Sequence, residues 1–352
     1  MKSGTLLVMT CAGAAALALG ACGERSEPGA GGAGTPVKPE KFTLILDYFP
    51  NADHAGIYAA QAAGYFKEAG LEVDVQAPPD PSAPLKLLQA GRADLAVSYE
   101  PELLLAREQG TQLLSVAALV QVPLTSIISL AGKDPVRTPA DLRGAKVGTA
   151  GIPYQSSYLK TIAKSAGIAE DDVDEVNVGF DLTPALISGR VKATLGSFWN
   201  YEGVDLQRRN RDPVILRMEQ LGVPTYNELI LVARRKDLDT GGASRVRRFL
   251  AALARGHDLL RKDPTQALDA LLEANDELDR GLQEAVIEAT TPVFFPADEK
   301  RPWGYQDAQA WRRYGEWMQA NGLVKQPPRA DDALTNEFLP GQGLGTRPPA
   351  DY

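Results

Sequence analysis

"LDYFPNADHAGIYAAQAAGYFKEAGLEV" (residues 46–73) ends an apolar strand, turns at Pro50-Asn51 and continues as an Ala-rich helix. Open α/β sheets hold ligands at such strand-to-helix junctions. This junction gathers Asp47, Tyr48, Asn51 and His54, the last being one of only two histidines in 352 residues. Asn51 and His54 stand three apart, a spacing that suits an N-cap and N3 pair. A histidine at a helix start is held neutral by the helix dipole and can donate one hydrogen bond. Tyr48 offers a flat face for stacking or is a surface aromatic; Asp47 either meets a ligand or caps the turn.

Outward from this junction, strands and helices alternate. "FTLILDY" reads as a strand, Ala55 to Ala69 as a helix closing at Gly70, "LEVDVQAP" as a strand, "SAPLKLLQAG" as a helix and "ADLAVSY" as a strand. That succession predicts a parallel sheet with right-handed crossovers. A second unit repeats it: "KVGTAG", "PYQSSYLKTIAKSAG", "DEVNVGF", "LTPALISG" and "KATLGSF". Two halves of like topology imply an α/β protein of two lobes with a cleft between them. The apolar "QVPLTSIISL" and "TYNELILVAR" are the natural crossings. One lobe is then 41–127 plus 229–352, the other 128–228. The mostly helical stretch from Ser244 onward returns to the first lobe.

The cleft-facing ends of both units supply further candidates. Ser98, Tyr99 and Glu100 end a first-lobe strand. Gly151 and Tyr154 lie in "GIPYQSS", where backbone N–H groups can take a polar group. Trp199, Asn200 and Glu202 follow a second-lobe strand, and Tyr226 sits at the return crossing. A Trp beside a carboxylate suits a flat ring with amino donors, although Trp199 packing between lobes and a solvated Glu202 is the bland reading.

The totals exclude several classes. With 44% hydrophobic and 23% charged residues, the chain reads as a soluble globular protein. A net charge of −8 without a basic stripe speaks against nucleic acid. Neither a G-x-x-x-x-G-K-[ST] loop nor a G-x-S-x-G elbow is present. Leu6 to Ala21 is a short apolar run behind Lys2, ending in Leu19-Gly20-Ala21-Cys22. It resembles the lipobox of bacterial lipoproteins, which implies a signal segment over 1–21 and lipidation of Cys22. Residues 22–40, rich in Gly, Pro and Glu, read as a flexible tether. Cys11 leaves with the signal and Cys22 is acylated, so the mature body has no thiol for disulfides, catalysis or metal. Neither a metal nor a cofactor is expected.

Taken together, a lipidated tether and two α/β lobes resemble a type II solute-binding protein of an ABC importer. The opening stretch is similar to the branch that binds thiamine pyrimidine precursors, whose pattern is Asp-Trp-x-Pro-Asn-x-x-His-x-Gly-x-Tyr, then Gly-Tyr-Phe and Gly-Leu-x-Val. Asp47, Pro50, Asn51, His54, Gly56, Tyr58, Gly64, Tyr65, Phe66, Gly70, Leu71 and Val73 match, and Tyr48 replaces the usual Trp. "SYEPE", "GSFWNYEG" and "TNEFLP" fit the same branch. The resemblance implies a type II periplasmic-binding-protein fold and no catalysis. It implies a pyrimidine-like ligand, a permease with its ATPase as partners, and a monomer lipid-anchored at the outer face of the cytoplasmic membrane or in the periplasm. Riboflavin or an aliphatic sulfonate on the same scaffold is the alternative. A pyrimidine-synthase relative is another, but it would need a cysteine-rich iron motif and a pyridoxal phosphate lysine.

Overall fold

The computed structural model describes residues 39–132 and 134–342. The signal segment 1–21, Cys22 and the tether up to residue 38 lie outside the described residues. The chain enters with β1 (Glu40–Ile45), then α1 (Ala55–Ala62), α2 (Tyr65–Glu68) and β2 (Leu71–Gln76). α3 (Pro84–Gln89), β3 (Leu95–Ser98), α4 (Glu100–Glu108) and β4 (Leu113–Ala118) follow. The second sheet takes β5 (Thr125–Leu130), β6 (Lys146–Thr149), α5 (Pro153–Ser165) and β7 (Asp174–Asn177). It continues through α6 (Leu182–Ile187), β8 (Ala193–Phe198), α7 (Glu202–Arg208) and β9 (Pro213–Arg217). The chain returns as β10 (Ile230–Arg234), α8 (Arg235–Asp237), α9 (Ala243–Lys262) and α10 (Pro264–Ala274). α11 (Arg280–Thr290), α12 (Ala308–Ala320) and α13 (Ala330–Ala333) complete the described chain.

The two sheets share one plan, ordered β2-β1-β3-β10-β4 and β7-β6-β8-β5-β9. In each, three strands run parallel as the alternating sequence predicts. Each five-stranded sheet is nevertheless mixed, because β10 and β5 insert antiparallel to both neighbours. Each of these strands arrives by a crossing from the other sheet, without a helical crossover, so the right-handed parallel rule does not set its direction. The helix read over residues 55–69 is also two helices. Gly64, at φ +76°, ends the first and opens the second, a backbone that side-chain-bearing residues resist.

Burial follows the pattern of each element. In and just after β1, Phe42, Leu44, Ile45 and Leu46 are all buried, as in a strand covered on both faces. α9 presents Val246, Phe249, Leu250, Leu253, His257 and Leu260 at helical spacing to the core. Phe249 stacks between Phe42 at 4.6 Å and Phe66 at 5.0 Å. The apolar core is contiguous through both lobes, and tyrosines carry it across. Tyr99 meets Tyr154 at 5.5 Å between ring centroids, Tyr158 meets Tyr226 at 6.1 Å, and Tyr226 meets Tyr314 at 5.1 Å.

Glu228 fastens the crossings. Its fully buried carboxyl accepts from Leu124 N at 2.6 Å, Thr125 N at 2.8 Å, Thr125 Oγ1 at 2.8 Å and Tyr226 Oη at 3.0 Å. One side chain thus satisfies donors from both crossing segments and ties them together.

Close packing of α1 on α9 depends on Gly256. A Cβ there would lie 2.2 Å from Gly56 O and 2.6 Å from Ala60 Cβ. Gly256→Ala should therefore lower unfolding free energy by about 1–3 kcal/mol, the usual cost of overpacking. A urea titration checks this.

Candidate functional site

Asp47 leaves β1 with its carboxyl already engaged. His54 Nδ1 accepts from Asn51 N at 3.3 Å, so the ring proton sits on Nε2, which donates to Asp47 Oδ1 at 2.9 Å. Tyr99 Oη donates to Asp47 Oδ2 at 2.9 Å. Asn51 caps the following 3-10 turn by accepting from Asp53 N at 2.8 Å, as the three-residue spacing predicts. The junction is thereby a rigid knot that holds one carboxylate in place.

The second lobe brings Glu202, the first residue of α7. Its Oε2 accepts from Phe198 N at 2.7 Å. Burial raises the Glu202 carboxyl to about 7, against the lowering effect of that bond. Asp53 is the third acid. Desolvation lifts it to about 6, offset in part by His54, Thr290 and Asn200.

These three acids line a cavity of about 40 Å³ between the lobes. Its wall also holds the rings of Tyr48, Tyr99, Phe198 and Tyr201, with Gln155, Leu182 and Ile152, and among the described residues includes no lysine or arginine. Gly196 forms part of the wall at φ +113°, where Gln155 packs against it and a Cβ would come within 2.4 Å of Nε2. Tyr48 Oη reaches across to Phe180 O at 3.1 Å, and burial raises its phenol. The lobes are closed. About 40 Å³ is well short of the roughly 150 Å³ cavity that accepts benzene, so an aromatic heterocycle needs a wider cleft. A larger groove of about 1090 Å³ lies over α9, α10 and α11, away from both junctions.

Of the residues singled out in the sequence, Asp47, Tyr48, Asn51, His54, Tyr99 and Glu202 meet at the cavity. Seven others lie off its wall. Ser98 Oγ donates to Glu102 at 2.6 Å, and the buried Glu100 accepts from Asn227 N at 2.8 Å. Gly151 forms the β6–α5 turn against the Asn177 side chain. Tyr154 Oη lies 3.3 Å from Thr125 Oγ1, and Tyr226 donates to Glu228. Asn200 bonds Asp53 and Thr290. Trp199 donates from Nε1 to Pro123 O at 3.0 Å, and Arg217 stacks 4.0 Å over its ring. Those partners engage the indole that the sequence assigns to ligand stacking.

Asp53, Phe198 and Gln155 were not singled out, whereas Tyr201 belongs to the Trp199–Glu202 stretch that the sequence marks. Asp53 sits inside the Asn51–His54 spacing, a signal available from the start. Phe198 and Tyr201 flank Trp199 in the same turn, and only the fold decides which ring faces inward.

A model of the family described as "NMT1/THI5 like" matches residues 51–267. The chain belongs to that family. It is similar to a formylaminopyrimidine-binding protein of Halalkalibacterium halodurans, 35% identical, with 84% of this chain and 90% of that protein covered. It is also similar to the 4-amino-5-hydroxymethyl-2-methylpyrimidine phosphate synthase THI13 of Saccharomyces cerevisiae, 24% identical over 85% of this chain and 88% of that one. The alkanesulfonate-binding protein SsuA from Xanthomonas axonopodis pv. citri superposes with a TM-score of 0.64 at 17% identity, covering 85% of this chain and 99% of that one. That likeness fixes the fold as the two-lobe periplasmic-binding-protein type.

This NMT1/THI5-like chain carries its raised acids as a stability term. Glu102, Glu202 and Glu228 are pushed up to about 7 and Asp53 to about 6, each chiefly by burial. The folded state therefore binds more protons than the unfolded one between about pH 4.5 and 7. Their stabilising contribution is full below the unfolded values and is lost as pH rises through the folded ones. His257, lowered to about 4 by burial, opposes this only below about pH 6.5. The melting temperature should accordingly be higher at pH 5.5 than at pH 8, and Glu202→Gln should reduce the difference. Calorimetry at both pH values checks it; a higher melting temperature at pH 8 would contradict it.

Proposed function

We propose that the protein captures an aminopyrimidine precursor of thiamine between its lobes and delivers it to an ABC permease. The observation that carries this reading is the cavity wall of three carboxyls and four aromatic rings without a lysine or arginine. An anionic sulfonate would meet three acids and no cation. A flavin's carbonyl edge would likewise meet charged groups that are all acceptors. An aminopyrimidine offers the reverse: an exocyclic N–H₂ beside a ring nitrogen that takes a proton, with π faces for the rings. The 35% identity to a formylaminopyrimidine-binding protein supports the same class.

Glu202 recognises the amino edge. Its backbone-held oxygen fixes the carboxyl, and the amidine-like edge of the ligand forms a charge-assisted pair with it. Tyr48, Phe198 and Tyr201 supply the aromatic wall, at about 0.5–1.5 kcal/mol beyond area burial for a stacked pair. Catalysis is not part of this role. No lysine lines the cavity to hold pyridoxal phosphate, and the body from residue 39 to 342 contains no cysteine. Among the described residues no helix is long and apolar enough to cross a membrane. The reading assigns membrane attachment to lipidated Cys22, with the folded body as a monomer outside the cytoplasmic membrane.

Hydrogen bonds to charged groups contribute about 1.5–3 kcal/mol, so Glu202→Ala should weaken binding of 4-amino-5-hydroxymethyl-2-methylpyrimidine roughly tenfold to a hundredfold. Glu202→Gln should lose nearly as much, because it turns a donor toward the ring. Titration calorimetry with this compound, its formylaminomethyl analogue, riboflavin and an alkanesulfonate decides the class. Tight sulfonate or flavin binding, with none to the pyrimidines, would refute the reading. The anchor is tested separately: Cys22→Ala should move the protein from the detergent-extracted membrane fraction to the soluble one.

A further inference from the structure

Asn200 is fully buried, yet it contributes nothing to its own lobe's sheet. Its amide nitrogen donates to Asp53 Oδ1 at 2.7 Å and to Thr290 Oγ1 at 2.6 Å, both on the first lobe. Thr290 Oγ1 uses its own proton on Val286 O at 2.8 Å, the shorter of its two acceptor contacts, and so can receive from Asn200. Both Asn200 N–H groups therefore cross the cleft. The side-chain oxygen is buried and has no hydrogen-bond partner among the described residues. Opening the lobes would return all of these groups to water, so the arrangement exists only in the closed form.

Asp53 is the one member of this clasp that also lines the cavity. We infer that Asp53 and Asn200 form a cross-cleft sensor, through which a ligand bearing N–H donors or positive charge strengthens lobe closure. The physical link is the charge on Asp53. Asp53 is desolvated beside Asp47 and Glu202, which disfavours its anion. A cationic or donor-rich ligand favours the anion, and an N–H bond to an ionised acceptor is stronger than one to a neutral carboxyl. Ligand capture thus tightens the Asn200 bond and slows release. Asn200 touches no ligand in this scheme; it is a positioning residue, and its effect falls on the dissociation rate.

The inference rests on the aminopyrimidine reading, and the experiment separates the two. Stopped-flow binding of 4-amino-5-hydroxymethyl-2-methylpyrimidine to the full chain should give Asn200→Ala an association rate within about twofold of the unmodified protein. Its dissociation rate should be about tenfold faster. Asn200→Asp, which places a second carboxylate against Asp53, should dissociate faster still. Unchanged dissociation in both variants overturns the sensor while leaving the ligand assignment standing. If the unmodified protein binds no aminopyrimidine, the ligand assignment fails, and the clasp is read by small-angle scattering of the ligand-free proteins. Asn200→Ala should then show a larger radius of gyration than the unmodified chain, and identical radii would overturn the clasp. Circular dichroism of each variant establishes that a change in rate or radius does not come from unfolding.

Discussion

Three carboxyls cannot be taken out of water around one small cavity without compensation, and the cleft is organised around that constraint. Burying an ionised acid in apolar surroundings costs several kcal/mol unless donors or positive charge meet it. Asp47 is met by His54 and Tyr99, Glu202 by a backbone N–H, and Asp53 by an amide from the opposite lobe. No lysine or arginine on the wall completes the neutralisation. In the proposed function, a ligand rich in N–H donors does so.

The scaffold follows from that task. Two sheets of one plan place strand-to-helix junctions face to face, and each junction delivers acids and rings from residues adjacent in sequence. At the crossings the Glu228 carboxyl gathers four donors from both connecting segments. Closure is secured around the cavity by Tyr48 on Phe180 O and by Asn200 on Asp53, and deeper in by the hydroxyl contact between Tyr158 and Tyr314.

Most of the architecture was legible in the sequence because hydrophobic periodicity and Gly or Pro punctuation are local signals. The paired βαβαβ units and the two crossing strands follow from them, whereas β4 and β9 were not read. The antiparallel insertion of β5 and β10 did not follow, since a strand's direction is set by where its crossing comes from. The break at Gly64 was likewise hidden inside an Ala-rich run. In the site, the first junction was readable: Asn51 and His54 sit at capping spacing, and Asp47 at the strand end falls within reach of His54. The turn after β8 was harder. Phe198, Trp199, Asn200, Tyr201 and Glu202 are consecutive, and which of them face the cavity depends on Pro123 O and Arg217 engaging the indole. Those partners are separated from Trp199 in sequence and met only in the fold.

Recovery of the natural ligand tests the central claim most directly. The protein, purified without denaturation from cells that make it, should be analysed by native mass spectrometry and its small molecule then released by unfolding. The account predicts a bound mass that yields an aminopyrimidine on release, at close to one per chain. A flavin or a sulfonate at that stoichiometry would contradict it.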